Sequence, residues 1–356
     1  MPDPRAGASV DADVGEQPGE EHLITAAGTG PSAGAGPSGW VGAVWARAIS
    51  LAGSRLVRWG FVAATVGLGI YAVVNDWSAV HASLAKIGFG TAVLAMISVL
   101  VGMFALLQVF RVLLGALGSP LPAKQVAQIL FVGQLGKYLP GSVWPVLAQM
   151  ELGAAYQVPR RRSASASVLT MLLSLFTGIL AGLVMLPFSK GAGSYWWVFL
   201  FAPVILALLY PRLLNLILDR LLRLVRRPPL EQPLTGRAIA TALAGGFVSW
   251  VFYGLQIWLL GDRLGLSGAS GLLLAIGAFA FAWSAGFLVV IAPAGAGIRE
   301  IVLIALLSPT VGAPSAAAIA LVSRLLMTIC DLVTAGTAAW FARRSRGTAA
   351  TGNPGS

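Results

Sequence analysis

The segment Gly133-Gln-Leu-Gly-Lys-Tyr-Leu-Pro-Gly-Ser-Val-Trp-Pro145 decides the fold, because apolar sequence flanks it on both sides and its centre cannot remain helical. It contains two prolines, three glycines and a lysine. Proline removes a backbone donor and clashes with the preceding helical turn. In hydrocarbon, the freed backbone groups persist only where protein or a water-filled cavity satisfies them. The segment therefore predicts a broken helix inside a membrane domain.

A second break, Ala292-Pro-Ala-Gly-Ala-Gly-Ile-Arg-Glu300, lies far downstream, and we interpret the two breaks as counterparts. Its small residues allow backbones to approach closely. The spacing of Gly295 and Gly297 matches neither the GxGxxG nor the GxxxxGK pattern of nucleotide-binding loops, so we do not interpret it as one.

The composition is that of a polytopic membrane protein. The chain is 57% hydrophobic and 10% charged, whereas soluble domains carry about 25% charged residues, and this excludes a soluble enzyme. The net charge of +11 indicates cytoplasmic loops against anionic lipid more than nucleic acid. The single cysteine, Cys330, excludes disulfides and cysteine-based metal sites. We predict no cofactor, no metal site and no nucleic-acid partner.

Hydropathy predicts an all-α integral membrane protein with six spanning helices and two re-entrant broken-helix hairpins. The spans are expected at about 59–75, 90–111, 165–187, 195–211, 238–261 and 315–341, and the interrupted regions at about 112–163 and 270–309. The predicted domains are a disordered cytoplasmic tail over 1–54, a membrane domain over 55–342 and a basic cytoplasmic tail over 343–356. The leucine-rich stretch 213–225 either lies on the membrane surface or extends the preceding helix.

The distribution of positive charge orients these spans. If each interrupted region returns to the side it entered from, one side receives only Lys86, Lys190 and Arg263, and the other receives the remaining arginine clusters. Both termini are then cytoplasmic, and the halves 55–190 and 195–342 form an inverted repeat. Inverted repeats with broken helices near the midplane are a common transporter architecture, with substrate bound at the breaks. The arginine-, alanine- and glycine-rich composition indicates a bacterial plasma membrane protein.

The two breaks supply most of the candidate substrate-binding residues. At the first, Lys137, Tyr138, Pro140 and Gly141 would place half-helix ends and a cation at membrane depth, which suits a lipid phosphate; the alternative is a loop at the membrane surface. At the second, Arg299 and Glu300 either bind phosphate or act as a gate, or they form a purely structural ion pair. The full set of candidates is Lys137, Tyr138, Pro140, Gly141, Pro293, Gly295, Gly297, Arg299, Glu300, Arg324 and Asp331.

The last predicted span contains Arg324 and Asp331, seven residues apart and so on nearly the same helix face. They either neutralise charge from the hairpins or contact the substrate. We expect Lys137, Arg299 and Arg324 to converge near the midplane on a polar pocket open to one leaflet. Three cations there would suit a phosphate.

Enzymatic activity has little support in the sequence, and we predict no catalytic residue. A polyprenyl-phosphate-dependent glycosyltransferase needs a carboxylate on an outer loop, and the predicted outer loops offer only Asp76 and Asp262, each alone. The DxD spacing of Asp11 and Asp13 falls in the predicted disordered tail. No HExxH motif or Ser/His/Asp constellation is present.

The breaks resemble a flippase-like family related to the transmembrane region of lysylphosphatidylglycerol synthases, over roughly residues 55–342. Tyr138-Leu-Pro-Gly141 matches the first family motif, and Pro293-x-Gly-x-Gly-x-Arg-Glu300 matches the second. Arg324 resembles a family arginine in the last helix. Family members often continue the first motif with a Gly-Glu pair, whereas this chain has Ser142-Val-Trp-Pro145, so the resemblance does not define the headgroup.

The resemblance implies translocation or handling of a phosphate-bearing lipid, either a phospholipid or a polyprenyl-linked glycan. The family includes the multiple peptide resistance factor, whose corresponding module moves aminoacylated lipid across the bilayer, and an archaeal dolichol-linked sugar transferase. The soluble aminoacyl-transfer domain is not expected here, so neither is lipid aminoacylation. The alternatives are a polyprenyl-phosphate-dependent glycosyltransferase or its accessory subunit, and a non-catalytic membrane scaffold. The expected partners are anionic or polyprenyl-phosphate lipids and a membrane enzyme.

Overall fold

The computed structural model describes residues 77–139, 143–188, 234–289 and 293–351, with isolated positions between 203 and 220. The described parts are helical throughout. Their α-helices are α1 (Trp77–Ile87), α2 (Phe89–Ala116), α3 (Ala123–Ala127), α4 (Trp144–Ala154), α5 (Arg160–Met185), α6 (Gly236–Gly261), α7 (Gly268–Leu288), α8 (Ile298–Val311) and α9 (Ala313–Thr351). The predicted tail 1–54 and span 59–75 lie outside the described residues, as do span 195–211 and stretch 213–225 apart from those isolated positions.

Among the described residues, five helices are long and apolar enough to cross a membrane: α2, α5, α6, α7 and α9. A multi-pass, all-α membrane protein is therefore confirmed. Four of these helices coincide with predicted spans, and the fifth, α7, is the first arm of the second interrupted region. Its 21 residues extend over roughly 30 Å, which matches the apolar thickness of a bilayer. The total of six spans stays a prediction.

The first interrupted region folds as a hairpin, here called hairpin one (residues 118–162). Its inward limb is α3, a π-helical turn at Gln128–Val132 and a 3₁₀ turn at Leu135–Tyr138; its outward limb is α4. Arg162 donates a hydrogen bond to the Gly118 carbonyl at 2.8 Å. The hairpin thus begins and ends at the same end of the helix bundle.

The second interrupted region forms hairpin two (residues 268–311), made of α7, a 3₁₀ turn at Pro293–Gly295 and α8. Its base closes where Gly265, just before α7, lies next to the Thr310 carbonyl at the end of α8. Helix α5 leaves hairpin one and runs antiparallel to α7, so that Gly178 faces Ser284 and Leu186 faces Gly277. The bases of the two hairpins consequently lie at opposite ends of the bundle.

Small residues allow the helices to pack closely, as expected where lipid provides no hydrophobic force between helices. A Cβ on Gly254 of α6 would lie 2.3 Å from Cα of Ile276 in α7. A Cβ on Gly102 of α2 would lie 2.6 Å from the Tyr253 ring of α6. Large apolar side chains such as Phe104, Ile301 and Leu325 are exposed on the outside, where a bilayer would cover them. The buried interior is mostly apolar, with two clusters of packed hydrophobic side chains.

Candidate functional site

The tips of the two hairpins meet beside the middle of α9. The turn Leu135–Tyr138 contacts the turn Pro293–Gly295, and both contact the surrounding helices. The apolar window of α9 covers Ala313–Ala342, and Arg324 and Asp331 lie on either side of its midpoint. Each of these two residues binds a different hairpin.

Asp331 binds hairpin one, and we call Lys137, Tyr138 and Asp331 the Asp331 cluster. The Lys137 ammonium lies 2.6 Å from Asp331 Oδ2, and the Tyr138 hydroxyl donates to the same oxygen at 2.6 Å. The Asp331 side chain is 4% exposed, whereas that of Lys137 is 28% exposed. Oδ1 of Asp331 is buried and has no hydrogen-bond partner among the described residues.

Arg324 binds hairpin two, and we call Ala294, Glu300 and Arg324 the Arg324 cluster. The guanidinium donates to the Ala294 carbonyl at 3.0 Å and lies 3.4 Å from Glu300 Oε1. Glu300 Oε2 accepts a hydrogen bond from the Gly297 backbone N–H at 2.6 Å, so that carboxylate also caps the first turn of α8. Arg324 and Asp331 thus each form an ion pair with a residue of a different hairpin.

The Arg299–Glu300 ion pair considered from the sequence is not formed, and Arg324 and Asp331, on the same helix face, do not pair with each other either. Adjacent residues on a helix point about 100° apart, so Glu300 turns to Arg324 while Arg299 turns elsewhere. Residues seven apart share a face but are separated by roughly 10 Å along the axis. Arg324 and Asp331 therefore reach different hairpin tips instead of each other.

Arg299 is the exception among the three predicted cations. Its side chain is buried at 7% exposure, and its guanidinium lies over the Phe279 ring at 4.4 Å. Among the described residues, no carboxylate lies within ion-pair distance of it, and it makes no hydrogen bond to them. A guanidinium carries five N–H donors. The site therefore holds a buried cation whose donors are not used by these residues.

The tips enclose a central cavity of about 180 Å³. Lys137, Arg299 and Arg324 all line it, as does Asp331. Glu300 of hairpin two pairs with Arg324 beside the cavity. The three cations therefore face two carboxylates, Asp331 and Glu300, which leaves an excess of one positive charge. The cavity is therefore an electropositive site at the centre of an apolar bundle.

One wall of the central cavity is aromatic, and sequence reasoning missed it. Trp250 contacts Trp283 with ring centroids 5.2 Å apart, and Trp283 stacks on Phe287 at 5.3 Å. Tyr253 and Trp250 complete this wall on α6. A signal was available, because Phe279, Trp283 and Phe287 recur every four residues and so share one face of α7.

The other predicted site residues support the turns or lie outside the described chain. Gly295 has φ +67°, and a Cβ there would lie 3.2 Å from Cα of Gly286 on α7. Gly297 has φ +86° and precedes α8, and Pro293 begins the 3₁₀ turn. Pro140 and Gly141 lie outside the described residues. The predicted close backbone approach at the second break is therefore observed at Gly295.

Charged groups away from the cavity lie on the surface. Arg160 donates two hydrogen bonds to Glu151, at 2.9 and 2.8 Å, and these hold the pKa of the Glu151 carboxyl below its usual range. Cys330 is buried. Asp262 is exposed after α6. Across the described ranges, no group of three or more histidine, cysteine or acidic side chains is arranged to hold a metal ion.

Together these features define a multi-pass membrane protein in which two broken hairpins enclose an electropositive cavity. The chain belongs to the family of the lysylphosphatidylglycerol synthase transmembrane region, whose family model matches residues 57–334. The predicted family relation is thereby confirmed, and it associates the chain with membrane proteins of lipid synthesis or flipping. No curated protein matches the chain.

Proposed function

We propose that this protein binds the phosphate of a membrane lipid in the central cavity and moves that lipid between the two leaflets. The lipid is an anionic phospholipid or a polyprenyl-phosphate lipid. Lys137, Tyr138, Arg299, Arg324 and Asp331 form the polar part of the site. Pro293, Gly295 and Gly297 of the second break, with Glu300, shape it.

The observation that carries this proposal is the buried guanidinium of Arg299, which has no ion-pair or hydrogen-bond partner among the described residues. Burying an ion is costly unless a counterion or hydrogen bonds compensate it. A phosphate offers the geometry that an arginine fork matches with two parallel hydrogen bonds. The aromatic wall beside Arg299 suits the apolar part of a lipid. A lipid phosphate would therefore satisfy donors that the described residues leave unused.

The proposed architecture is six spans with the two halves in inverted orientation, set in a bacterial plasma membrane with both termini cytoplasmic. The opposed hairpin bases support this arrangement. Release of the Asp331 cluster would free hairpin one, and release of the Arg324 cluster would free hairpin two. Opening the cavity first at one tip and then at the other gives each leaflet access in turn. A membrane enzyme that supplies the lipid would be a natural partner.

The test is translocation of a fluorescent phosphatidylglycerol analogue by purified protein in phosphatidylglycerol and phosphatidylethanolamine vesicles. A membrane-impermeant reductant reports the fraction in the outer leaflet over time. The native protein should accelerate exchange, and Arg299→Gln should return the rate to that of protein-free vesicles. Arg111→Gln is the matched control, because Arg111 is an exposed arginine at the end of α2, away from the cavity.

The two alternatives predict different results. A glycosyltransferase should lose sugar transfer from a polyprenyl-phosphate donor on Asp76→Asn while lipid exchange is unaffected. A scaffold should show no exchange above vesicles without protein, and its partner binding should tolerate Arg299→Gln. Native exchange that is equally fast in Arg299→Gln would reject the phosphate-binding role of the cavity.

A further inference from the structure

A second cavity, about 160 Å³ in volume, lies between the inward limb of hairpin one and the C-terminal half of α9. We call it the α3–α9 groove. It is lined by Lys124, Ala127, Phe131, Thr334, Thr337, Ala338 and Phe341. The groove is a gap between hairpin one and α9, which otherwise contact each other along the π-helical turn.

The α3–α9 groove is apolar even though two threonines line it. The Thr334 hydroxyl donates to the Cys330 carbonyl at 2.7 Å, and the Thr337 hydroxyl donates to the Val333 carbonyl at 2.8 Å. Hydroxyls tied to the preceding helical turn in this way are satisfied within their own helix. The groove therefore offers little to a polar ligand, and the one charged side chain lining it, Lys124, is exposed.

Phe131 connects the groove to the central cavity, because its side chain lines both. Phe131 is half-buried and lies in the π-helical turn Gln128–Val132. Such turns occur mostly as single-turn interruptions of α-helices, frequently at functional sites. One residue thus borders both the electropositive cavity and the apolar groove.

The groove lies beside surface that a bilayer would cover. Neighbouring side chains on α9 are large, apolar and exposed: Leu332 at 57%, Val333 at 49% and Phe341 at 51%. A bilayer has hydrocarbon chains to fill such a gap and no water to do so. A water-soluble partner would not reach this surface.

We propose that the α3–α9 groove binds one hydrocarbon chain of the lipid whose phosphate occupies the central cavity, with Phe131 packed at the junction. This inference rests on the proposed function, because it takes the same lipid as its ligand. It gives the headgroup and the tail separate sites on one molecule. The tail stays in an apolar environment while the headgroup is held by Arg299.

The experiment is photolabelling of the purified native protein in vesicles with a phosphatidylglycerol that carries a diazirine midway along one acyl chain. A diacylglycerol with the same labelled chain and no phosphate is the reference probe. Mass spectrometry of peptides locates the adducts. We expect several-fold enrichment of the phosphatidylglycerol probe over the reference on residues 124–131 and 334–341, and none on the exposed side chains of α2, Ile97, Val101 and Phe104.

Two tryptophan substitutions on α9 distinguish the groove from ordinary lipid contact. Thr337→Trp places a large ring inside the groove and should abolish the enrichment and slow translocation. Val333→Trp places the same ring on the exposed face beside the groove and should leave both unchanged. Both positions are exposed on one helix, so neither substitution should disturb the buried core. The melting temperature of each variant checks for a folding defect.

The outcomes separate this inference from the function on which it rests. If the probe were enriched beside another gap in the cavity wall and translocation still depended on Arg299, the groove would be rejected as the tail site. The proposed lipid translocation would be retained. Labelling identical to that of the diacylglycerol would overturn the groove as well. If the native protein also failed to move lipid, the proposed function would be rejected with it.

Discussion

Three cations face one small cavity, and they differ in how their charge is compensated. Lys137 has the Asp331 carboxylate at 2.6 Å, and Arg324 has Glu300 and a backbone carbonyl. Arg299 has the face of Phe279, which is worth only about 2 kcal/mol or a little more in a desolvated setting. The first two cations hold the structure together, and the third costs stability in the absence of a ligand.

The Asp331 cluster predicts unequal effects from its two charged members. Lys137→Met leaves the buried Asp331 carboxylate without its counterion, with only the Tyr138 hydroxyl bound to it, and breaking a buried pair costs about 3–5 kcal/mol. Asp331→Asn leaves Lys137, whose side chain is 28% exposed and can still reach water in the cavity. Melting of the purified protein should therefore fall further for Lys137→Met than for Asp331→Asn.

The double variant with both Lys137→Met and Asp331→Asn is the control for this prediction. It removes both charges at once, so its loss of stability should be smaller than the sum of the two single losses. Additive losses would mean that the two side chains do not interact in the folded protein.

For Arg299 we expect a substitution to raise stability or leave it unchanged, in contrast to Lys137→Met. Arg299→Met removes a buried charge that makes no ion-pair contact with the described residues and replaces it with a flexible apolar side chain. We expect a melting temperature equal to or above that of the native protein, together with the loss of translocation. Activity and stability often oppose each other in this way at functional sites. A fall in melting as large as that of Lys137→Met would show that Arg299 has a structural counterion.

At the scale of an element, the turn of hairpin two depends on backbone that only glycine adopts easily. Gly295 has φ +67°, and a Cβ added to it would lie 3.2 Å from Cα of Gly286. The same contact brings the Ala294 carbonyl within reach of Arg324. The conformation of the turn, its close approach to α7 and the contacts of the Arg324 cluster therefore depend on one another.

Replacing this glycine should disrupt that arrangement. Gly295→Ala adds about 1–2 kcal/mol of left-handed strain to the contact with Gly286, so melting and translocation should both decrease. Gly336→Ala is the matched control, since Gly336 lies within α9 and has nothing within 4 Å of its would-be Cβ. Alanine there should be neutral or stabilising by up to roughly 1 kcal/mol. Equal effects of the two substitutions would contradict the close approach at Gly295.

The breaks were predictable from the sequence because their cause is local. Proline and glycine at the second break interrupt an apolar run wherever that run packs, and the structure has a 3₁₀ turn at Pro293–Gly295. The ion pairs were not predictable in this way. Glu300 has Arg299 beside it in sequence and Arg324 beside it in space, and only the path of α8 past α9 decides between them. The meeting of Lys137 with Asp331, far apart in sequence, likewise depends on tertiary packing.

At the scale of the whole molecule, α9 joins the two hairpins. The distance from Arg324 to Asp331 along the helix sets the spacing of the two tips, because each residue binds one tip. Hairpin one begins at the end of the bundle where α5 starts, and hairpin two begins at the other end. Both hairpin tips are therefore held against the same helix.

This architecture makes a prediction about membrane sidedness that combines charge with structure. Residues 160–162 lie at the base of hairpin one, and residues 262–263 lie near the base of hairpin two. The positive-inside rule assigns the first group, with 226–227, to the cytoplasm, and the second group, with 190, to the outside. Single cysteines at 161, 190, 226 and 263, in a background with Cys330→Ser, should react with an impermeant maleimide on intact cells only at 190 and 263. Labelling of 161 and 263 from the same side would contradict the opposed hairpins, and labelling of 190 and 226 from the same side would contradict the inverted repeat.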